Sequence, residues 1–121
     1  MITIDDFAKV EIRAGKILSA EKIPDTDKLL KLRVDFAEYA PQDEESKMSV
    51  PVTRQIVSGI SMYFPDPSVL VGKTCMFVTN LEPRKIKGFE SNGMLFAVST
   101  GTGAFSLLEP NSSIPPGTLA K

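Results

Sequence analysis

The sequence predicts an all-β protein made of short strands and turns. In residues 29–36 apolar side chains alternate with charged ones, which is the period-two pattern of a strand with one buried face. Residues 74–79 and 94–98 are almost continuously apolar, as fully buried strands are. The chain of 121 residues is long enough for a single domain, residues 1–121, with its own hydrophobic core.

In the first half of the chain, the alternation of apolar and charged side chains predicts strands, and turn residues predict where they end. Apolar positions alternate with charged ones up to Gly15 and then change parity, which predicts a β-bulge in a curled first strand. Pro24 and Asp25 predict a turn before the second strand. Residues 38–53, EYAPQDEESKMSVPVT, form an acidic insertion that is either a long exposed loop or an extended hairpin. Residues 54–58 predict a third strand, which ends at Gly59.

The second half of the chain supplies a helix and further strands. Residues 66–72, DPSVLVG, have an aspartate, a proline and a terminal glycine in the order of a short capped helix. A GTG turn leads into another short strand at residues 104–108. Short strands with one helix between the third and fourth follow the order of an OB-fold, a five-stranded Greek-key barrel, here with a C-terminal extension. A sandwich of similar size is the alternative.

Composition points to a binding module. Histidine is absent, and the single cysteine, Cys75, lies in an apolar run where a buried, unreactive thiol is expected. The common catalytic motifs are also absent, so we expect no catalytic activity, no cofactor and no metal site. No apolar run approaches the ~20 residues that span a bilayer, and the N-terminus lacks the features of a signal peptide. A cytoplasmic protein that does not bind membranes is expected.

A short basic segment is the strongest functional signal. Arg84, Lys85 and Lys87 fall within four positions, between Pro83 and Gly88. The net charge of −1 argues against nucleic-acid binding, but residues 73–87 hold four cations and one carboxylate. A basic loop at the mouth of a small β-barrel is well placed to meet a phosphate backbone. A solvated basic surface without a ligand is the alternative.

Six segments in a fixed order carry a resemblance to a known family. They are DFAKVEIRAGKIL at 6–18, PDTDKLLKLRVDF at 24–36, RQIVSGI at 54–60, LVGKT at 70–74, NLEPRKIKGFESNGM at 80–94 and PPGT at 115–118. With these segments the chain resembles the tRNA-binding domain family, which occurs as a homodimeric tRNA-binding protein and as a C-terminal part of many bacterial methionyl-tRNA synthetases. The resemblance implies an OB-fold that recognises the shape of tRNA with little base readout.

The resemblance also implies a set of residues in contact with tRNA. Lys31 and Arg33 have the alternative role of outward cations that keep the barrel soluble. Asn80 and Ser91 have the alternative role of satisfying loop backbone groups. Met94 could instead belong to the core. The full implied set is Lys28, Lys31, Arg33, Asn80, Arg84, Lys85, Lys87, Ser91 and Met94.

The function implied by the resemblance is structure-directed, largely sequence-nonspecific tRNA binding. The chain would act in trans, or as a detached C-terminal module of methionyl-tRNA synthetase, and assist aminoacylation. Its expected partners are tRNA and a second copy of itself, joined through Ile2, Ile4, Phe7 and the segment around Leu119. A methionyl-tRNA synthetase catalytic chain is a candidate partner. The alternative is an export-associated dimeric chaperone of the same superfamily, which binds unfolded polypeptides.

Overall fold

The structure is a computed structural model that describes residues 1–42 and 48–121. One short helix, nine short strands and two 3₁₀ turns make up the elements in this part of the chain. In chain order they are α1 (Ile4–Phe7), β1 (Ile12–Lys22), β2 (Leu30–Pro41), β3 (Ser49–Ser58), the 3₁₀ turns Ser61–Tyr63 and Pro67–Leu70, β4 (Thr74–Val78), β5 (Arg84–Ile86), β6 (Phe89–Ser91), β7 (Met94–Leu95), β8 (Ala97–Ser99) and β9 (Phe105–Leu107).

Five strands form one curled antiparallel sheet in the order β3-β2-β1-β4-β7. Two separate hairpins, β5–β6 and β8–β9, complete the β structure of the described residues. Both 3₁₀ turns lie between β3 and β4, where the sequence predicts a helix. The prediction of an all-β fold of OB type is therefore confirmed.

The hydrophobic core lies on the concave side of β2. Leu30, Leu32, Val34 and Phe36 are all buried, which confirms the predicted alternation of this strand. The ring of Phe36 meets the ring of Phe77 on β4 edge to face, with 5.2 Å between centroids. Each fully buried side chain of this size contributes roughly 1.5–3 kcal/mol, so this strand anchors the sheet.

Gly15 has a different role from the one predicted. The register between β1 and β2 shifts between Ile17 and Ser19, so the bulge lies beyond the glycine. A Cβ atom at Gly15 would lie 2.5 Å from the ring of Phe36 and 2.7 Å from a methyl carbon of Val34. The glycine is therefore required because β2 side chains pack directly over the β1 backbone.

The predicted capped helix is present as a single 3₁₀ turn. Asp66 accepts a hydrogen bond from the Ser68 amide at 3.1 Å, and Leu70 is buried against the core. Helix α1 was not predicted from the sequence. Its signal is a capping box, in which the Asp6 amide donates to Thr3 Oγ1 and the Thr3 amide donates to Asp6 Oδ2.

The acidic insertion takes the form of the extended hairpin. Strands β2 and β3 continue their pairing through Glu38 opposite Val52 and Tyr39 opposite Pro51. Residues 43–47, which include three of the four carboxylates of the insertion, lie outside the described residues. The predicted strand at 94–98 is split into β7 and β8, which belong to different sheets.

Candidate nucleic-acid interface

The basic segment forms a tight two-stranded ribbon. Arg84 pairs with Ser91, Lys85 with Glu90 and Ile86 with Phe89, which leaves Lys87 and Gly88 as a two-residue turn. Their φ angles of 51° and 85° are both positive, as a type I′ hairpin turn requires. Glycine tolerates this conformation freely, while Lys87 adopts it at a modest cost. The ribbon therefore carries its cations on a short hairpin.

The three cations of the ribbon face solvent. Arg84, Lys85 and Lys87 are all exposed. Within the described part of the chain, none of them forms an ion pair, although Glu90 stands opposite Lys85 in the register. Their charges are consequently open to an anionic partner.

Lys31 lies beside this ribbon. Its Nζ stands 5.1 Å from the centroid of the Phe89 ring on β6 and 3.7 Å from Glu21 Oε2. The contact with Glu21 is partly exposed, and such pairs contribute about 0–1 kcal/mol. A phosphate could replace this carboxylate at little cost.

Arg33 is exposed on the same strand as Lys31, two residues further on. It lines a cleft together with Pro83 and Glu90, which adjoin or belong to the ribbon. Lys31 and Arg33 of β2 therefore lie next to the ribbon. We call these two residues, together with Arg84, Lys85 and Lys87, the basic face. Lys28 is exposed in the connection between β1 and β2, and no described contact joins it to this face.

The side chains of Asn80 and Ser91 form hydrogen bonds with the protein backbone. Asn80 Oδ1 accepts from the Glu11 amide at 2.7 Å, and its Nδ2 donates to the Lys9 carbonyl at 2.6 Å. Ser91 is buried, accepts from the Val57 amide at 3.0 Å and donates to the Gly93 carbonyl at 3.1 Å. This geometry favours the backbone-satisfying alternative, in which both residues hold the ribbon in place.

Met94 is 45% exposed on β7 and is therefore not a core residue. Its thioether side chain offers a soft apolar surface. Seven of the nine predicted site residues are exposed, while Lys31 is half-buried and Ser91 is buried.

Comparison with known proteins shows the family of the chain. The family model "Putative tRNA binding domain" matches residues 12–119. The chain belongs to this tRNA-binding domain family. The matched range contains the five-stranded sheet, the basic ribbon and the C-terminal extension, and it begins after helix α1.

Relatives of this tRNA-binding domain include methionine–tRNA ligases. The ligase of Methanoregula boonei is 48% identical over 118 residues, which are 98% of this chain and 15% of the relative. Among solved structures, a MetRS related protein from Pyrococcus horikoshii has a TM-score of 0.81 and 36% identity, covering 100% of this chain and 98% of that one. The chaperone CsaA from Bacillus anthracis has a TM-score of 0.77 and 26% identity, covering 100% and 99%. The domain thus spans about 15% of the curated ligase it matches.

Arg54 is a central support of the tRNA-binding domain that the sequence did not reveal. Its Nε and Nη2 donate to the two carboxylate oxygens of Glu38, both at 2.7 Å. Its Nη1 donates to the carbonyls of Thr79 at 2.6 Å and Asn92 at 3.2 Å. The hydrogen bonds to Glu38, together with the charge of that carboxylate, raise the pKa of Arg54. Since Thr79 precedes the ribbon and Asn92 follows it, Arg54 ties both ends of the ribbon to the β2–β3 hairpin.

A second polar cluster joins the chain ends of the domain to the sheet. Glu11 Oε1 accepts from Arg13 Nε at 2.7 Å and from Thr79 Oγ1 at 2.6 Å. The hydrogen bond from Arg13, followed by that from Thr79, lowers the pKa of Glu11 below its ordinary value. Arg13 Nη1 also donates to the Gly117 carbonyl at 2.8 Å, which holds the C-terminal extension against β1.

The remaining chemistry of the domain is limited. Burial raises the pKa of Cys75 to about 11, so the thiol stays protonated at neutral pH. No group of three or more potential metal ligands occurs among residues 1–42 and 48–121. No helix in those ranges has the length and apolar character to cross a bilayer.

Proposed function

We propose that this tRNA-binding domain binds tRNA through the basic face formed by Lys31, Arg33, Arg84, Lys85 and Lys87. The observation that carries the proposal is the exposed β5–β6 ribbon, whose three cations lack ion-pair partners among the described residues. Phosphates and 2′-hydroxyls dominate the surface of folded RNA, because A-form helices hide their base edges in a deep, narrow groove. A rigid cationic ribbon suits such a surface, and it recognises shape more than sequence.

The main source of affinity would be counterion release. A protein that neutralises phosphates releases condensed cations, so binding weakens as salt rises. With three to five cations engaged, the logarithm of the binding constant should fall with the logarithm of salt concentration along a slope of roughly −2 to −4. Asn80, Ser91 and Arg54 would contribute by keeping the ribbon in position.

The biological role that we propose is assistance to methionyl-tRNA synthetase. The relatives that carry a matching segment are methionine–tRNA ligases, of which this chain spans about 15%. A weak tRNA site joined to a catalytic body, covalently or in trans, raises the local tRNA concentration without adding any contact at the catalytic centre. The domain would act in the cytoplasm as a binding module, with no catalysis of its own.

We also propose that the domain is a homodimer. Helix α1 buries none of its own side chains, and Ile2, Ile4 and Phe7 are all exposed. Leu119 of the C-terminal extension is exposed as well and bridges to Arg13 on β1. An exposed apolar group of this kind is typical of an interaction surface. A second copy would cover it and place two basic faces on one particle.

The chaperone alternative is supported by the similarity to CsaA. The five cations of the basic face match the phosphates of tRNA better than an uncharged apolar peptide segment. We therefore favour tRNA. A competition assay of tRNA against an unfolded peptide separates the two functions, because only the chaperone would release tRNA to a peptide at similar concentration.

The deciding experiment is a filter-binding titration with bulk tRNA at several salt concentrations, with duplex DNA as competitor. We expect binding with the negative slope given above and weak competition by DNA. A slope near zero would overturn the electrostatic mechanism. Complete competition by an equal amount of DNA would overturn recognition of the tRNA shape.

A further inference from the structure

A cleft of about 570 Å³ lies next to the basic face. The β2–β3 hairpin forms one side of it, and the segment that leads into the ribbon forms the other. Its lining includes Arg33, Tyr39, Gln55, Leu81, Pro83 and Asn92.

The cleft presents a planar and apolar surface to solvent. Tyr39 is 66% exposed, and its ring makes no stacking contact within the described residues. Leu81 is 51% exposed, and Pro83 is exposed beside it. An exposed aromatic ring next to apolar side chains is a suitable stacking surface for a flat ligand. A flat ring could stack on Tyr39 with no rearrangement of the core.

The cleft also has free hydrogen-bonding groups. Gln55 Nε2 donates to the Glu90 carbonyl at 2.9 Å, which holds the amide in place and leaves its Oε1 without a partner in the described contacts. The Asn92 side-chain amide and the Arg33 guanidinium likewise make no hydrogen bond within the described part of the protein. Amide and guanidinium groups match the donors and acceptors on the edges of nucleobases.

The charge of the cleft differs from that of the ribbon. Arg54 is neutralised by its bidentate pair with Glu38, and the remaining cation, Arg33, shares the cleft with Glu90. Two cations and two carboxylates therefore line the same space. Because these charges cancel, the cleft has little net attraction for a phosphate. An uncharged planar group does not depend on net charge and suits the cleft better.

We propose that this cleft binds one unstacked nucleobase of RNA, with the base stacked on Tyr39 and its edge held by Asn92, Gln55 or Arg33. The proposal rests on the proposed function, since the ribbon would hold the neighbouring phosphates. Pro83 and Glu90 belong both to the cleft wall and to the ribbon region, so one nucleotide strand could occupy both. The proposed domain recognises mainly the shape of RNA. This site would add a preference for RNA with unpaired bases.

The test compares Tyr39→Ala with Tyr39→Phe, which keeps the ring. Both variants should fold, because the side chain is largely exposed. Stacking of one base on an aromatic ring commonly changes affinity by roughly 5- to 100-fold. We expect a loss of that size for Tyr39→Ala with bulk tRNA, near wild-type binding for Tyr39→Phe, an unchanged salt slope, and no change for either variant with a fully paired RNA duplex.

A direct readout comes from tyrosine fluorescence. The chain has two tyrosines and no tryptophan, so Tyr63→Phe leaves Tyr39 as the single reporter. Short oligouridylate should quench this signal in proportion to binding. Quenching by an unfolded peptide but not by the oligonucleotide would overturn the proposal in favour of a peptide site.

Two further outcomes separate this proposal from the proposed function. Wild-type tRNA affinity in Tyr39→Ala, or an equal loss with tRNA and duplex, would reject the base site. If an Arg84→Glu/Lys85→Glu variant loses tRNA binding in the same experiment, the ribbon remains the tRNA site. If that variant also binds normally, the proposed function fails as well.

Discussion

The ribbon cations make a quantitative prediction about salt dependence. The double variant Arg84→Glu/Lys85→Glu removes two phosphate contacts and adds two carboxylates to the basic face. Each contact contributes roughly 0.7–0.9 to the log–log salt slope, so the slope should become shallower by about 1.4–1.8. Repulsion by the new carboxylates adds to the loss, and we expect tRNA affinity to fall by well over tenfold at low salt. Filter binding across a salt series measures both quantities.

The double variant should leave the stability of the fold unchanged. Both side chains are exposed and form no ion pair in the described contacts, so the free energy of unfolding should change by less than about 0.5 kcal/mol. A matched control is Lys16→Glu/Lys121→Glu, which makes the same change in net charge at exposed positions away from the ribbon. Equal losses in both variants would show that total charge, and not the ribbon, governs binding. Unchanged affinity in the ribbon variant would remove the ribbon from the site.

Four further outcomes follow from the supports and surfaces of the domain. Arg54→Met leaves Glu38 without its partner and should lower the free energy of unfolding by roughly 1–3 kcal/mol, measured by urea denaturation, whereas a loss near zero would contradict its role as a support. The pKa of Glu11 is depressed in the folded state, so its contribution is present above the ordinary value of 4.5 and is lost as pH falls below it. Glu11→Gln should therefore flatten the acid end of the stability curve, and an unaltered curve would count against the cluster. Ile4→Ser/Phe7→Ser should convert a dimer into a monomer of 13.2 kDa in sedimentation, and a wild-type monomer at micromolar concentration would reject the interface. Cys75 should react with a thiol reagent at pH 8 only after unfolding, because it is buried with a pKa of about 11, and rapid labelling of the native protein would disprove that environment.

Local pattern explains why much of the fold was predictable. The alternation in β2 requires only neighbours in sequence, because successive side chains of a strand point to opposite faces. Asp66 and Pro67 predicted a short helix for the same local reason, and the structure has a 3₁₀ turn there. The basic segment was predicted as a loop, whereas the structure shows a hairpin whose turn is Lys87–Gly88. The predicted position of the β-bulge at Gly15 was wrong, because the register shift lies between Ile17 and Ser19. A glycine is required at position 15 because Phe36 of β2 packs over it.

In the candidate site, too, the sequence predicted only the features that depend on neighbouring residues. The sequence identified the ribbon cations because they are adjacent and flanked by turn residues. It could not distinguish an RNA contact from a backbone support at Asn80 and Ser91. Their partners lie far along the chain, 69 residues away for the Glu11 amide and 34 for the Val57 amide. The role of Arg54 was not predicted for the same reason, since its pairing with Glu38 depends on the extended hairpin.

By itself, the sequence determined the all-β class, the alternation of β2 and the cations of the ribbon, because periodicity and turn chemistry act between neighbouring residues. Only the tertiary structure decided that Lys31 and Arg33 lie next to the ribbon, which polar residues hold the ribbon, and that Tyr39 lines a cleft beside it. Those features arise where distant segments meet, and their geometry depends on the curl and register of the whole sheet.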